Sequence, residues 1–341
     1  MDQLIKVFAT GPLPKQVKEK LARFADLKLW EEPTAISAEA LLEQIKDRTA
    51  VVCLLGDKMS AEVMDAAPEL KLIANVAVGF DNVDLTHAKK RGILVVNTPG
   101  VLDNATADLA FGLLLACARR IVEADQYVRE HQWQGWRTDL LLGSDLSGKT
   151  LGIVGMGRIG EAMGRRALGF GMKIIYTRKG NEEKDHRLSR ELGARRVSLP
   201  ELISSSDFIS IHSPLNHETR HLIGKVELSR VKKHCILINT ARGAVVDQKA
   251  LIAALQDGKL AGAGLDVFED EPQVPDELIA LKNVVIVPHI GSATNETRVA
   301  MAHLAVEGLI SAFTEKLPEN TVNKDVWPLF LERLKVCTSS L

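Results

Sequence analysis

Short apolar runs alternate with amphipathic segments along most of the chain. In the first hundred residues the apolar runs predict five buried strands: IKVFA, LKLW, AVVCLL, LKLIANVA and ILVVN. The amphipathic segments between them predict helices: PKQVKEKLARFA, SAEALLEQI and DLTHAKKRG. Buried strands separated by helices are typical of a parallel sheet that is covered on both faces.

A second series of the same kind follows a long helical segment at about 105–131. Its strands are predicted at TLGIVG, MKIIY, DFISIHS, CILINTA, LAGAGLD and NVVIVPH. Two doubly wound α/β domains with parallel sheets are the simplest interpretation. A final helix from Asn295 to about Lys316 could pack on either domain, and the residues from Leu329 onward are expected to form a peripheral tail.

A glycine-rich turn follows the first strand of the second series and precedes a predicted helix. The turn is Gly155-Met156-Gly157-Arg158-Ile159-Gly160. In a dinucleotide-binding turn the glycines allow the tight turn, the approach of a pyrophosphate and close packing of helix on strand. The pyrophosphate then lies at the helix N-terminus. Because strand, glycines and helix occur in that order, we expect a dinucleotide site here instead of an ordinary turn.

The end of the next strand bears on which dinucleotide binds. An NAD site normally has an Asp or Glu about 20 residues on, which binds the ribose 2′-hydroxyl. Here the strand KIIY is followed by Thr177, Arg178 and Lys179, without an acid. A hydroxyl and two cations suit a 2′-phosphate. We therefore expect NADP, with NADPH preferred, and NAD stays open if the two cations are only solvated loop charges.

Three polar residues follow strands of the second series, namely Arg242, Glu271 and His289. The carboxyl ends of parallel strands line the ligand crevice of such a sheet, so these side chains can converge. An imidazolium can give a proton to a keto oxygen near neutral pH. A carboxylate beside it favours that charged form, and an Arg can bind a substrate carboxylate. Together the three residues predict the reduction of a 2-keto acid.

Each of these residues has a structural interpretation when it is taken alone. Arg242 could be a surface cap, Glu271 one acid of a solvated acidic run, and His289 a strand-end histidine bonded to the backbone. His212 is a rival histidine because it also ends a strand, and we expect it to pack under the cofactor loop. No metal site is predicted, since the cysteines form no CxxC pair.

Composition excludes several other classes of function. The chain has 341 residues, a net charge of −1 and no basic tract, which argues against binding to nucleic acid or a membrane surface. The longest apolar run, 109–118, is far shorter than a bilayer crossing, and the N-terminus is typical of a strand instead of a signal peptide. The scattered Cys53, Cys117, Cys235 and Cys337 suit reduced thiols. We therefore expect a cytoplasmic protein whose partner is a small molecule.

Several ordered blocks of the chain resemble the D-isomer-specific 2-hydroxyacid dehydrogenase family, from about residue 5 to about residue 325. The blocks are Val78-Gly79-Phe80-Asp81-Asn82-Val83-Asp84, Asn97-Thr98-Pro99-Gly100, Ala107-Asp108, the glycine turn, Ile238-Asn239-Thr240-Ala241-Arg242-Gly243, Gly264-Leu265-Asp266-Val267-Phe268-Glu269 and Pro288-His289-Ile290-Gly291. The resemblance implies that Arg242 binds the substrate, that His289 is the acid and base, and that Glu271 is its carboxylate partner. It also implies that the backbone of Val78 and Gly79 holds the substrate carboxylate.

The same resemblance assigns the domains and the cofactor residues. It implies a flavodoxin-like substrate domain over 1–101, an inserted Rossmann NAD(P)-binding domain over 102–290, a C-terminal helix over 291–330 that returns to the substrate domain, and a tail over 331–341. The helix after Asn104 is implied to build a homodimer. The residues implied at the cofactor are Thr106, Gly155, Gly157, Arg158, Ile159, Gly160, Thr177, Arg178, Lys179, Ser213, Pro214, Thr240, Asp266, His289 and Gly291.

Within the family the chain is most similar to the glyoxylate and hydroxypyruvate reductases. The similarity lies in the strand ending at Tyr176-Thr177-Arg178-Lys179 and in the segment Trp133–Trp136. It implies NADPH-dependent reduction of glyoxylate or hydroxypyruvate to the D-2-hydroxy acid. Some members place a partner subunit's tryptophan in the substrate pocket, where this chain has Leu140, so a preference for 2-ketogluconate stays open. A dinucleotide-sensing binding protein of the same fold is the alternative from another class.

Overall fold

The chain divides into two units, and it changes from one to the other twice. The computed structural model describes residues 4–180 and 182–338. One unit comprises Met1–Leu102 and Thr294–Leu341, and the other comprises Asp103–Ala293. The changes of unit therefore fall after residues 102 and 293, against expected domain boundaries after residues 101 and 290.

The first unit is built on a five-stranded parallel sheet. Its elements are β1 (Ile5–Ala9), α1 (Lys15–Phe24), β2 (Ala25–Leu29), α2 (Ala38–Ile45), β3 (Ala50–Cys53), α3 (Ala61–Asp65), β4 (Leu72–Asn75), α4 (Leu85–Arg91) and β5 (Leu94–Val96). The strand order is β2-β1-β3-β4-β5, and β3, β4 and β5 are buried along their whole length. All five predicted strands and the three predicted helices are confirmed, whereas the five-residue α3 was not predicted.

The second unit contains a seven-stranded parallel sheet. Its elements are α5 (Asp103–Ala118), α6 (Ile121–Arg129), β6 (Thr150–Val154), α7 (Arg158–Gly169), β7 (Lys173–Thr177), α8 (Glu182–Leu192), β8 (Arg195–Arg196), α9 (Leu199–Ser205), β9 (Phe208–Ile211), α10 (Lys225–Leu228), β10 (Ile236–Asn239), α11 (Gln248–Gln256), β11 (Gly262–Leu265), α12 (Asp276–Ile279) and β12 (Val284–Ile286). In the order β12-β11-β10-β9-β6-β7-β8, the chain adds strands first on one side of β6 and then on the other, so the switch point lies between β9 and β6. Such a switch point is where open α/β sheets bind ligands. The predicted fold class, two doubly wound parallel sheets, is confirmed.

The long helix expected at about 105–131 is two helices. It breaks at Arg120, whose φ of 53° lies in the left-handed region and cannot continue an α-helix. The first helix, α5, is buried against α7, β10 and β11 of its own unit. The second helix, α6, has no buried residue. The apolar side chains of α5 are therefore packed within the unit, whereas those of α6 face solvent.

The chain ends in two further helices of the first unit, α13 (Asn295–Phe313) and α14 (Trp327–Thr338). The first of them packs against β4 and α1. The tail expected over 331–341, and from Leu329 onward, is wrong for its part up to residue 338, because α14 continues through it. Phe330 is fully buried, and the guanidinium of Arg333 donates to the carbonyls of Leu70 and Arg91, at 2.9 and 2.8 Å. Residues 339–341 lie outside the described residues.

Two further expectations concern membrane crossing and thiols. No helix within residues 4–180 and 182–338 has both the length and the apolar composition that a bilayer crossing needs. Cys53, Cys117 and Cys235 carry free thiols, and burial raises the pKa of the Cys117 and Cys235 thiols to about 12. The side chain of Cys337 lies outside the described part of the chain.

Candidate active site

The site is built on the carboxyl edge of the seven-stranded sheet. The last residues of five strands lie side by side there, because Val154 pairs with Ile211, Ile211 with Asn239, Asn239 with Leu265, and Leu265 with Ile286. The loops that follow these strands therefore all start from one line. Every candidate residue of the second unit belongs to one of these loops, to the end of the neighbouring β7, or to the start of a helix behind them.

The glycine turn follows β6 at this edge of the sheet. Gly155 has a φ of 97°, and a Cβ there would come within 2.7 Å of the backbone nitrogen of Ser213, so only glycine fits. Gly157 precedes α7 without a side-chain cap, and a Cβ there would meet no atom within 4 Å. Arg158, Ile159 and Gly160 form the first turn of α7, where backbone N–H groups have no partner within the helix. The turn therefore offers open space beside a set of anion-binding donors.

Two buried hydroxyls lie at the same edge. Ser213 Oγ follows β9 and Thr240 Oγ1 follows β10, and neither has a hydrogen-bond partner among the described residues. Buried polar atoms are nearly always paired, so these two are typical of groups that bind a ligand. Pro214 is exposed beside Ser213, and its carbonyl accepts from Thr219 Oγ1 at 2.6 Å. The glycine turn, the start of α7 and the two hydroxyls together fit a nicotinamide dinucleotide.

The end of β7 carries no acid of its own, as expected, but an acid from the following helix reaches it. Thr177 is the last strand residue, and Arg178 follows it. The guanidinium of Arg178 is mostly buried and donates to Asp185 of α8 at 2.8 Å, and Arg196 donates to the same carboxylate at 2.9 Å. Tyr176 also donates to it, at 2.9 Å. The acid missing from the strand end is therefore supplied by α8.

The charges around this strand end are largely paired. Burial acts to raise the pKa of Asp185, but the hydrogen bonds from Arg178, Arg196 and Tyr176 outweigh it and lower the pKa to about 2. The one carboxylate of Asp185 thus accepts from both guanidiniums. The exposed Lys179 forms an ion pair with Glu218. Asp185 and Arg196 were not predicted at this place, because both reach the strand end from elements that follow it in the chain.

The Arg242 loop is fixed by its own strand and by the next loop. The side chain of Asn239 donates to the carbonyl of Arg242 at 3.0 Å and accepts from the N–H of Ala241 at 3.1 Å. The guanidinium of Arg242 donates to the carbonyl of Ala241 at 2.7 Å. A Cβ on Gly243 would collide with the backbone of Phe268, so the loops after β10 and β11 touch along their backbones. This contact brings Arg242 close to the loop that carries Glu271.

Glu271 and His289 form a direct hydrogen bond. His289 Nδ1 lies 2.7 Å from one carboxylate oxygen of Glu271, and the N–H of Phe268 donates to the other at 3.0 Å. Burial acts to raise the pKa of Glu271, but the hydrogen bond and charge of His289, with the charge of Arg242, lower it overall. Both side chains stay about one-third exposed. Arg242, Glu271 and His289 therefore share one electrostatic environment, with an imidazole nitrogen left for a ligand.

The backbone of His289 is held by Asp266. His289 has a φ of 53°, a conformation that costs a residue other than glycine roughly 1–3 kcal/mol. The buried carboxylate of Asp266 accepts from the N–H groups of Ile290 and Gly291, at 2.6 and 2.8 Å, and the N–H of His289 donates to the Asp266 carbonyl at 2.9 Å. Burial raises the pKa of Asp266, against these hydrogen bonds and the charge of His289. Thr106 lies behind Gly291, near the Cβ that an alanine would place there.

His212 lies at the same edge without joining this cluster. Its ring nitrogen Nε2 lies 2.8 Å from Ser210 Oγ, and burial lowers its pKa to about 4. It is therefore neutral near pH 7 and cannot supply an imidazolium. No group of three or more His, Cys, Asp or Glu that could hold a metal occurs in the described part of the chain.

Val78 and Gly79 belong to the first unit, in the loop that follows β4. The carbonyl of Val78 accepts from Asn97 Nδ2, and the carbonyl of Gly79 accepts from Asn75 Nδ2, both at 2.8 Å. Their N–H groups donate to no described residue. The loop therefore offers free backbone donors, as a carboxylate-binding segment requires.

Comparisons with known proteins agree with this geometry. The family described as D-isomer specific 2-hydroxyacid dehydrogenase, NAD binding domain, matches residues 111–291. The chain is 53% identical to a glyoxylate reductase of Thermococcus litoralis over 94% of this chain and 97% of that protein. It is 50% identical to a glyoxylate reductase of Korarchaeum cryptofilum, over 94% and 96%.

A solved structure supports the same relationship. The chain superposes with a TM-score of 0.82 on the NADPH-dependent glyoxylate/hydroxypyruvate reductase of Sinorhizobium meliloti in complex with NADP and malonate. The two are 34% identical, and the match covers 94% of this chain and 97% of that one. The resemblance seen in the sequence is thereby confirmed. The chain belongs to the D-isomer-specific 2-hydroxyacid dehydrogenase family.

Proposed function

We propose that this chain catalyses the reduction of glyoxylate, and of small 2-keto acids such as hydroxypyruvate, by a reduced nicotinamide dinucleotide. The observation that carries the proposal is the hydrogen bond between His289 and Glu271, at the edge of the sheet that also holds the glycine turn. An imidazole next to a carboxylate is suited to moving one proton near neutral pH. Relatives that are 53% and 50% identical are glyoxylate reductases, which favours this substrate class.

Arg242, Glu271 and His289 each have a different role in the proposed reaction. A reduced nicotinamide supplies the hydride when it is bound. His289, as the imidazolium, donates the proton to the carbonyl oxygen and becomes neutral. Glu271 keeps the imidazole oriented through Nδ1 and stabilises its positive charge before the transfer. Arg242 binds the substrate and polarises its keto oxygen. We assign the substrate carboxylate to the backbone N–H groups of Val78 and Gly79.

We propose NADPH as the preferred cofactor. No carboxylate belongs to the end of β7 itself, and two guanidiniums, those of Arg178 and Arg196, bind the carboxylate of Asp185 next to Thr177. Two guanidiniums at this place favour a 2′-phosphate over a 2′-hydroxyl. Because Asp185 binds both guanidiniums, the preference is expected to be moderate, and NADH is expected to remain a usable substrate.

We also propose that two copies of the chain form a homodimer through α6 and the segment after it. The exposed apolar side chains of this surface are Ile121, Val122, Val128, Trp133 and Trp136, the last of them 82% exposed. An apolar patch of this kind on a protein surface is typical of an interface. Because α5 is buried within its own unit, the interface is assigned to α6 and not to the whole segment after Asn104.

The first prediction concerns the reaction and its acid. Glyoxylate, hydroxypyruvate, pyruvate and 2-ketogluconate are tested with NADPH and NADH by the fall in nicotinamide absorbance, and glyoxylate or hydroxypyruvate is expected to react fastest. His289→Gln is expected to lower kcat by about two to four orders of magnitude, the range for a lost general acid. His234→Gln is the control, because His234 also pairs with a carboxylate, at 2.8 Å from Asp207, but precedes β10 at the opposite edge.

The outcomes separate the candidate functions. A nearly normal kcat in His289→Gln contradicts the role of this residue. If 2-ketogluconate is turned over fastest, it replaces glyoxylate as the proposed substrate. Dinucleotide binding without turnover of any of the four acids favours a dinucleotide-sensing binding protein instead.

The second prediction concerns the cofactor. Arg178→Ala is expected to raise the KM for NADPH about tenfold or more and the KM for NADH by less than about threefold, because only NADPH carries the phosphate that the charge attracts. Arg195→Ala is the matched control, since Arg195 lies in β8 but pairs with Glu201. Equal effects on both cofactors would show that the 2′-phosphate is not bound at Arg178.

The third prediction concerns assembly. Sedimentation equilibrium of the wild-type protein is expected to give a dimer, and Val122→Glu with Val128→Glu is expected to give monomers, because two buried carboxylates oppose an apolar interface. Ile279→Glu, on the exposed face of α12, is expected to leave the dimer intact. A wild-type monomer would refute this proposal.

A further inference from the structure

The loop after β4 is tied to its own unit by three consecutive carbonyls. The carbonyl of Ala77 accepts from the N–H of Thr98 at 2.8 Å. The next two, at Val78 and Gly79, accept from the side-chain amides of Asn97 and Asn75, each at 2.8 Å. Three successive peptide groups are thus fixed through their carbonyls.

The fixed carbonyls determine where the N–H groups point. In a trans peptide the C=O and the N–H of the following residue point in opposite directions. The N–H groups of Val78, Gly79 and Phe80 therefore face away from their tethers. None of the three donates to a residue that the structure describes. Three successive N–H groups without a described partner are therefore available to bind an anion.

The two asparagines are themselves held rigidly. Asn75 is fully buried, and its carbonyl oxygen accepts from Asn82 Nδ2 at 3.2 Å. Asn97 is 9% exposed, and its backbone carbonyl accepts from the side chain of Asn320 at 2.6 Å. Asn82 also donates to the carbonyls of Leu54 and Asp57, at 3.3 and 3.0 Å, in the loop after β3. The side-chain amide of Asn75 cannot turn without losing these hydrogen bonds, and the backbone that carries the Asn97 side chain is held by Asn320.

We propose that Asn75 and Asn97 are positioning residues that orient the N–H groups of Val78, Gly79 and Phe80 toward the substrate carboxylate. Neither amide touches the substrate in this account. Each acts by holding one peptide plane, and Phe80 contributes a third backbone donor beside the two already assigned. The inference rests on the proposed function, which assigns the substrate carboxylate to this loop.

The test compares Asn97→Leu and Asn75→Leu with the wild-type protein. Leucine keeps most of the volume but removes the amide, so the peptide group is free to rotate. We expect KM for glyoxylate, and Ki for oxamate as an unreactive 2-keto acid analogue, to rise about tenfold or more in each variant, the loss expected for a misaligned hydrogen bond to a charged group. The kcat is expected to change by less than about threefold, and the dissociation constant of NADPH is expected to stay unchanged.

Asn323→Leu is the matched control for a structural effect. Asn323 is also buried in the first unit, donates to the carbonyl of Ile93 at 2.9 Å and accepts from the N–H of Val95 at 2.8 Å. It is expected to lower Tm as much as the two test variants while KM and Ki stay at the wild-type values. If a leucine variant does not fold, the alanine variants Asn97→Ala, Asn75→Ala and Asn323→Ala give the same comparison.

The outcomes distinguish this inference from the proposed function. If the wild-type protein turns over glyoxylate and binds oxamate, but the Asn75 and Asn97 variants keep the wild-type KM and Ki, the positioning role is refuted and the proposed function stands. If KM rises equally in Asn323→Leu, the effect is general destabilisation and the positioning role is again refuted. If the wild-type protein neither reduces a 2-keto acid nor binds oxamate, the proposed function fails and this inference fails with it.

Discussion

The candidate active site depends on one buried carboxylate, that of Asp266. It accepts from the N–H groups of Ile290 and Gly291 and thereby holds His289 in a left-handed conformation. That conformation costs roughly 1–3 kcal/mol, whereas a hydrogen bond to a charged acceptor contributes roughly 1.5–3 kcal/mol, so two of them outweigh the strain. Without this anchor the chain after β12 would relax toward an unstrained conformation, and the imidazole would leave the carboxylate of Glu271.

In both units, polar side chains hydrogen-bond to the backbone of a loop that carries functional groups. In the second unit Asp266 and Asn239 bind backbone groups next to His289 and Arg242, and in the first unit Asn75 and Asn97 bind the carbonyls of a loop. Many residues in the blocks that carry the family resemblance are of this kind. Their side chains fix the backbone on which a functional group is presented.

The sequence predicted most of the sheet structure because the strands are short apolar runs that are buried on both faces. It also placed Arg242, Glu271 and His289 on one edge, since parallel strands bring their carboxyl ends together. It did not predict β8, because two exposed arginines at the margin of a sheet form no apolar run. Nor did it predict the ion pairs of Asp185, since the direction in which α8 carries this side chain depends on packing.

Two errors came from contacts between distant parts of the chain. The tail expected near the C-terminus is a helix, because Arg333 donates to carbonyls more than two hundred residues earlier and Phe330 packs in the core. The expected long helix breaks at Arg120 although the local pattern on either side is helical, and the carbonyl of Ala118 just before the break accepts from the N–H of Ser144 at 2.8 Å. A short-range pattern contains no signal for either feature.

The anchoring role of Asp266 can be measured as the rate of hydride transfer in a single turnover of Asp266→Asn. The asparagine has one acceptor oxygen where two N–H groups need one each, so the backbone at His289 loses an anchor. We expect a rate about a hundredfold below that of the wild-type protein, the cost of a misplacement of about 1 Å. Asp207→Asn, which also loses a carboxylate that accepts a backbone N–H, but at the opposite edge of the sheet, should keep the wild-type rate. A wild-type rate in Asp266→Asn would contradict the account.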